Sequence, residues 1–282
     1  MGPLAYQMEI AYRVGTARGE RSQLSAMGVQ REDYFSAFGE AINDLILGHR
    51  AKLETMSRPA QPTVPEQLPE SRKDASSANA FKISRADSDP KRRWVDGTPE
   101  YSFYIHPLRL LFPQARFIHV VRDVSSVISS MLRFQRTGGP RLVESEEHAY
   151  QYWIRTVSAC LAAERALGSE IVYRFRHADL IAEPEFCLRR LLDFLGESFE
   201  ANCLRPLEKQ INSSDVPSDF DPSDSKTDPA VVEAARQLNA EISQLPAHLE
   251  PDPNAMADLE KAFSQRADEL AQRAARPVKD NG

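Results

Sequence analysis

Arg122, Ser126 and Ser130 have the residue types and the spacing of an anion site. Arg122 directly follows the apolar run FIHVV at 117–121, and the two serines lie one helical turn apart in the segment that comes next. A guanidinium offers a rigid fork of N–H donors that matches phosphate or sulfate, and hydroxyl groups can add further donors. The pattern predicts an anion site, most simply a phosphate site. The same residues also allow a structural interpretation, in which Arg122 pairs with Asp123 or a nearby acid and the serines fill a helix–sheet interface.

Two consecutive segments must position these side chains. The β-branched run Phe117–Val121 predicts a strand that is buried on both faces. Arg122 and Asp123 then turn the chain into a helix, with Asp123 as its N-cap. The apolar stripe of that helix is predicted at Val124, Val127, Ile128 and Met131. Ligands of open α/β sheets bind at the carboxyl ends of the strands, where a helix N-terminus adds free N–H groups and a partial positive charge. We therefore expect the anion site at this strand-to-helix turn.

The residues around this turn resemble a known family. WVDGTPEY at 94–101, LFPQARFIHVVRD at 111–123 and the serine eight positions after Arg122 resemble the central block of the PAPS-dependent sulfotransferases, with the bacterial and tyrosylprotein-type branch nearest. The resemblance covers roughly residues 28–215 and implies an α/β, P-loop-NTPase-like sulfotransferase fold, with a parallel sheet flanked by helices. PAPS is 3′-phosphoadenosine 5′-phosphosulfate, the family's sulfuryl donor.

The resemblance also implies a site and a reaction. In the family, the arginine and the serine eight residues later hold the 3′-phosphate of PAPS, and they correspond to Arg122 and Ser130. The implied reaction is transfer of a sulfuryl group to a hydroxyl of a protein, a glycan or a small molecule. This reaction needs a clamp on the nucleotide, positive charge on the sulfuryl oxygens and a general base for the acceptor proton.

The sequence departs from the family pattern at three places. No RSGTT-like loop for the 5′-phosphosulfate is present, and we expect the strand, loop and helix that carry it to be missing ahead of the chain. Gly97 stands where the family commonly has a lysine before Thr-Pro. His177 stands where the family has a tyrosine near the adenine, and it can stack on a base or lie on the surface. These departures leave open a second hypothesis, a non-catalytic relative that acts as a binding or scaffold module.

The general base cannot be assigned from the sequence. Glu100 lies close to the motif, but an acid in the first turn of a helix commonly serves the helix dipole. His106 is interpreted as an ordinary helix residue and His119 as a satisfied core histidine. A P-loop kinase is a further alternative, which the absence of a Walker lysine disfavours.

Composition excludes several classes of protein. The net charge of −6 argues against a general nucleic-acid binder. The three cysteines have no CxxC spacing, so they do not indicate a disulfide framework or a zinc site. No His, Asp or Glu spacing predicts a metal site. No run is apolar and long enough to cross a membrane, and the first residues lack a signal-peptide core. We expect a cytoplasmic protein.

The predicted organisation has two parts. Residues 1–227 form the sulfotransferase-like α/β domain, with 57–91, which contains five prolines, as an exposed insertion. Residues 228–282 form a helical extension that packs on the domain or forms a homo-oligomer. Helices are predicted at 31–52, 98–111, 144–167, 229–245 and 254–275, a second strand at 171–175, a Leu-rich helix ending at Gly196, and loops at 15–19 and 211–227.

Overall fold

The structure, a computed structural model, describes residues 1–56, 93–134, 142–208, 224 and 226–275. Most of the described chain is helical, and it contains one small parallel sheet. The chain divides into two compact units, one of residues 1–36 and 99–282 and the other of residues 37–98. In the smaller unit, Trp94 Nε1 donates to Asn43 Oδ1 at 3.0 Å.

The larger unit is organised around one long helix, which confirms the prediction at 144–167. The elements before it in the chain are α1 (Gly2–Thr16), a 3₁₀ helix (Gly19–Arg21), α2 (Gln23–Ala26), α3 (Arg31–Met56), a 3₁₀ helix (Pro99–Tyr104), α4 (Ile105–Leu111), β1 (Phe117–Val121) and α5 (Val124–Arg133). Residues 37–56 of α3 belong to the smaller unit. The central helix is α6 (Glu146–Leu167), and the Ser145 hydroxyl caps it by accepting from His148 N at 3.1 Å. The apolar stripe along α6 is buried as predicted, and it comprises Tyr150, Trp153, Val157, Cys160 and Leu161.

The elements after α6 are β2 (Val172–Arg176), α7 (His177–Ala182), α8 (Pro184–Leu195), a 3₁₀ helix (Ala201–Glu208), α9 (Pro229–Gln244) and α10 (Pro253–Ala275). One side of α6 packs against α5 and α9 through Ile128 and Ile242. Its C-terminal half packs against α4, α10 and β2, with Ile105 and Val172 buried there. Both C-terminal helices therefore contribute to the core around α6, and they lie in the larger unit.

The sheet consists of β1 and β2, paired in parallel with Phe117 opposite Val172 and Val121 opposite Arg176. The bounds of β1 confirm the prediction, whereas β2 ends one residue later than predicted. The prediction that β1 is buried on both faces is wrong, because Ile118 is 37% and Val120 is 56% exposed. Helix α8 covers the β2 half of that face, and no described element covers the β1 half.

Several other predicted elements differ from the observed ones in their bounds or in their type. The predicted helix at 98–111 begins as the 3₁₀ helix and continues as α4, and Thr98 bonds to Asp96 Oδ1 through its N–H at 3.0 Å. Residues 2–16 form α1, so Gly15 lies in a helix rather than in the predicted loop. Gly196 ends α8 in the left-handed region with φ +70°, as predicted. The predicted loop at 211–227 and the insertion at 57–91 lie almost wholly outside the described residues.

Candidate functional site

The carboxyl ends of the two strands bring Arg122 and His177 together. Val121 and Arg176 are register partners, so the next residue of each strand is the first to leave the sheet at the same edge. Both side chains are half-buried. The guanidinium of Arg122 is close enough to the imidazole of His177 to influence its protonation. The structure thus places a fixed cation and a titratable ring next to each other at the edge where parallel sheets bind ligands.

Asp123 begins α5 as predicted and is engaged there. Its carboxylate Oδ2 accepts from Ser126 N at 3.0 Å, and its carbonyl accepts from Val127 N at 3.1 Å. A carboxylate in this position satisfies one of the free N–H groups of the helix N-terminus. Asp123 therefore serves the helix and forms no ion pair with Arg122.

Arg122 makes no hydrogen bond and no ion pair with any residue in the part of the chain that the structure describes. The arginines of β2 behave differently. Arg174 donates to the carbonyl of Pro246, and Arg176 Nη2 donates to Ser243 O at 2.8 Å and Ile242 O at 3.2 Å. A half-buried guanidinium without a partner among the described residues has a strong fork of donors available for a ligand. Arg122 is thus equipped to hold an anion, and the structural interpretation finds no support in an ion pair with Asp123 or with another described acid.

Helix α5 carries the serines of the predicted site. Ser126 and Ser130 are half-buried, whereas Ser129 is 0% exposed and its Oγ has no hydrogen-bond partner among the described residues. Ser130 lies six residues after Val124, the first residue of α5, and therefore about 9 Å further along the helix axis. Only a long side chain that lies along the helix can share one phosphate with Ser130, and arginine has that length.

His177 has a pKa that is lowered from its ordinary value of 6.5, first because burial disfavours the charged ring and then because the Arg122 guanidinium repels a proton. No hydrogen bond or ion pair holds the ring within the described residues. The sequence pointed to position 177 only through the family's adenine contact. The proximity of His177 to Arg122 depends on the register of the two strands, which no local signal reveals.

The other titratable candidates are engaged elsewhere or exposed. His119 is buried and contacts the carboxylate of Glu164 through Nδ1, which confirms its interpretation as a core histidine. His106 was interpreted as an ordinary helix residue, but it is buried with Nε2 2.7 Å from Glu260 Oε2. Glu100 is exposed on its 3₁₀ helix. The structure assigns the role of general base to none of them.

A cavity of about 380 Å³ runs along the outer edge of β2, between α7, α8 and the chain that joins α9 to α10. Its lining is mixed, with Tyr173, Phe175 and Phe186 beside Asp179 and Arg190. It includes neither Arg122 nor Ser130. Among the described residues, no group of three or more His, Cys, Asp or Glu side chains is arranged to hold a metal ion. None of the described helices has the length and apolarity needed to span a membrane.

Comparison with known proteins gives three findings. A sequence model described as the sulfotransferase family matches residues 19–201. Two curated relatives, the omega-hydroxy-beta-dihydromenaquinone-9 sulfotransferases Stf3 of Mycobacterium bovis and Mycobacterium tuberculosis, are each 36% identical over 106 residues, 35% of this chain and 27% of theirs. This chain thus spans about a quarter of the length of the curated relatives it matches. A solved sulfotransferase domain from the curacin biosynthetic pathway aligns with TM-score 0.37 and 24% identity, over 53% of this chain and 62% of that one.

Proposed function

This chain belongs to the sulfotransferase family, and we propose that it binds PAPS or adenosine 3′,5′-diphosphate at Arg122 and Ser130. We further propose that it transfers the sulfuryl group to a hydroxyl of a protein, a glycan or a small molecule. The observation that carries the proposal is the half-buried guanidinium of Arg122, which has no partner among the described residues and stands at the carboxyl end of a parallel strand.

The residues present fit the 3′-phosphate of such a nucleotide. Arg122 supplies a charged fork of donors, and Ser130 supplies a hydroxyl two turns into α5. The free N–H groups of the first turn of α5 add partial positive charge, reduced by the Asp123 carboxylate that already accepts from Ser126 N. We therefore expect Arg122 to contribute more to binding of this phosphate than Ser130 or the N-terminus of α5 does.

PAPS supplies an activated sulfuryl group, and the chain's part in the reaction is to hold the nucleotide so that the acceptor oxygen is in line with it. Positioning of this kind can account for much of a group-transfer rate. A hydroxyl acceptor is consistent with the name of the curated relatives, which specifies an omega-hydroxy compound. The acceptor panel for this chain accordingly includes a tyrosine peptide, a glycan and a hydroxylated isoprenoid quinone.

Calorimetry with adenosine 3′,5′-diphosphate tests the binding site. Arg122→Ala removes a charge-assisted contact that is typically worth about 1.5–3 kcal/mol, which corresponds to a roughly 10- to 100-fold rise in Kd. Arg116→Ala is the matched control, because Arg116 is exposed at the opposite end of β1 and lies over the ring of Phe194. We expect Arg116→Ala to bind like the wild type. Equal affinities of the wild type and Arg122→Ala for adenosine 3′,5′-diphosphate would contradict the proposed site.

A second candidate function, a non-catalytic binding or scaffold module, is favoured by Gly97. Glycine cannot supply the ammonium that the family commonly places before Thr-Pro, and loss of one donor to the transition state typically costs about 3 kcal/mol. A Cβ added at Gly97 meets no atom within 4 Å, so a side chain can be introduced there without overlap. Gly97→Lys therefore distinguishes the two candidates.

The measurement is transfer of label from ³⁵S-PAPS to the acceptor panel. If the chain is a transferase, the wild type gives a slow signal and Gly97→Lys raises it by about two orders of magnitude. If it is a binding module, both proteins bind adenosine 3′,5′-diphosphate and neither transfers label. Gly97→Ala is the control for a change that adds volume without charge.

A further inference from the structure

We propose that His177 is a second ligand of the phosphate bound at Arg122, and that its imidazole takes up a proton from solvent when the phosphate binds. The inference rests on the proposed function and adds to it a residue and a pH dependence. It starts from geometry: two parallel strands end side by side, and the first residue after each is a basic one.

The two side chains lack partners in the part of the chain that the structure describes. Neither Arg122 nor His177 makes a hydrogen bond or an ion pair there, although both are half-buried. Two groups of like sign placed together disfavour each other's charge unless an anion lies between them. A phosphate supplies hydrogen-bond partners for both side chains and offsets their repulsion, because its oxygens accept from the guanidinium and from a protonated ring at once.

Among the described residues, no carboxylate takes the place of that anion. The charged groups near His177 on α7, on α8 and between these helices act on other residues. Asp179, Glu183 and Arg190 act on Cys187, and Asp179 and Arg190 also act on Tyr173. Arg176 of β2 donates to the carbonyls of Ile242 and Ser243. Among the described residues, Arg122 is the charged group that acts on His177.

The direction of the pH effect follows from these charges. Burial and Arg122 hold the pKa of free His177 below 6.5, so the ring is mostly neutral near pH 7. A bound phosphate favours the imidazolium and raises that pKa. Affinity therefore falls as pH rises between the free and the bound pKa values, by at most about tenfold per pH unit for one proton.

The phosphate contributes a pH dependence of the opposite sign. Its second ionisation lies near pH 6, so the dianion that binds best becomes more abundant as pH rises to about 7. A comparison of two proteins at each pH cancels this contribution, because both bind the same ligand. Calorimetry with adenosine 3′,5′-diphosphate at about pH 6, 7 and 8 spans the range in which an imidazole changes charge.

His177→Gln removes the titration and keeps a hydrogen-bonding side chain. We expect it to bind more weakly than the wild type at about pH 6, by up to about tenfold, and equally well at about pH 8. His248→Gln is the control, since His248 is an exposed histidine paired with Glu250, and it should follow the wild type at every pH. A ratio of affinities that is the same at all three pH values would overturn the inference and leave the proposed function intact.

A second measurement needs no variant. The imidazole Cε1–H resonance of His177 in the wild type, titrated with and without saturating adenosine 3′,5′-diphosphate, should show a higher pKa in the complex. An unchanged or lower pKa overturns the role of His177 as a ligand. If the wild type binds no adenosine 3′,5′-diphosphate at any pH, the proposed function and the inference fail together.

Discussion

Two regions of the larger unit each contain an arginine beside a histidine, and they differ in whether carboxylates pair with the positive charge. In the first, Arg31 and His106 meet between α1, α3, α4 and α10. Arg31 Nε lies 2.7 Å from Glu9 Oε2 and its Nη2 lies 3.0 Å from Glu260 Oε1, while His106 Nε2 lies 2.7 Å from Glu260 Oε2. Arg13 completes the cluster, 2.7 Å from Glu9 Oε1. In the second region, Arg122 and His177 have no carboxylate partner among the described residues.

The surroundings of the first pair explain why it is structural. The guanidinium of Arg31 lies over the rings of Phe35 and Phe263, whose centroids are 5.5 Å and 5.6 Å away. Burial lowers the pKa of Arg31, but Glu9 and Glu260 outweigh burial and raise it above its ordinary value. These contacts join the N-terminal helices to α10. The comparison indicates that cations paired by the chain's own acids hold helices together, whereas a half-buried cation without an acid is available to a ligand.

The largest expected effect is on stability in the first region. Glu9 is buried, with a side chain 4% exposed, and it faces both Arg13 and Arg31. Glu9→Gln removes the carboxylate that Arg13 and Arg31 share and leaves each guanidinium with one acid, Asp268 and Glu260 respectively. We expect the free energy of unfolding to fall by about 1–3 kcal/mol, because a buried charged hydrogen-bond partner is lost. Urea denaturation measures the change.

The matched control is Glu269→Gln, which removes the acid of an exposed pair with Arg266 and should change the free energy of unfolding by less than about 1 kcal/mol. Arg122→Ala belongs in the same series, with an expected change of about 0.5 kcal/mol or less because no hydrogen bond or ion pair among the described residues is lost. If Arg122→Ala destabilises the protein as much as Glu9→Gln does, the contrast between the two regions is wrong.

A smaller effect sharpens the contrast within α5. Ser130→Ala removes a hydroxyl donor to the proposed phosphate, which is worth about 0.5–1.5 kcal/mol or roughly 2- to 10-fold in Kd. Ser129→Ala is the neighbouring control, since the buried hydroxyl of Ser129 has no hydrogen-bond partner among the described residues. Its removal should leave the free energy of unfolding unchanged or raise it. Calorimetry and urea denaturation of both variants separate binding from folding. An equal loss of affinity in the two variants would argue that α5 is merely perturbed.

Local signals were sufficient for the elements that carry the site. The β-branched run predicted β1 at its observed bounds, and Asp123 begins α5 because its short carboxylate suits an N-cap. The exposure of Ile118 and Val120 could not be predicted, because an apolar run does not reveal which of its faces another element covers. The burial of His106 depends on Glu260, which lies on a helix far along the chain.

The neighbour of Arg122 was missed for a different reason. The second strand was predicted to end at Phe175, and aligning the ends of the two strands then places Arg176 beside Arg122. The observed strand ends at Arg176, so His177 takes that place. A shift of one residue also exchanges the two faces of a strand, which is why sequence patterns alone do not fix such pairings. The signal that could have found the pair is a basic residue after each of two short apolar strands.

The smallest expected effect is a shift in the pKa of His177 when the charge of Arg122 is removed. Arg122→Ala removes the repulsion on His177 but leaves its burial, so the pKa of His177 should rise toward 6.5 without reaching it. Titration of the imidazole resonance in the free protein measures this shift, with Arg116→Ala expected to leave the pKa unchanged. A pKa of His177 that does not respond to Arg122→Ala means that solvent screens the two groups. The strand edge would then hold two independent side chains, with no cationic pair to set against Arg31 and His106.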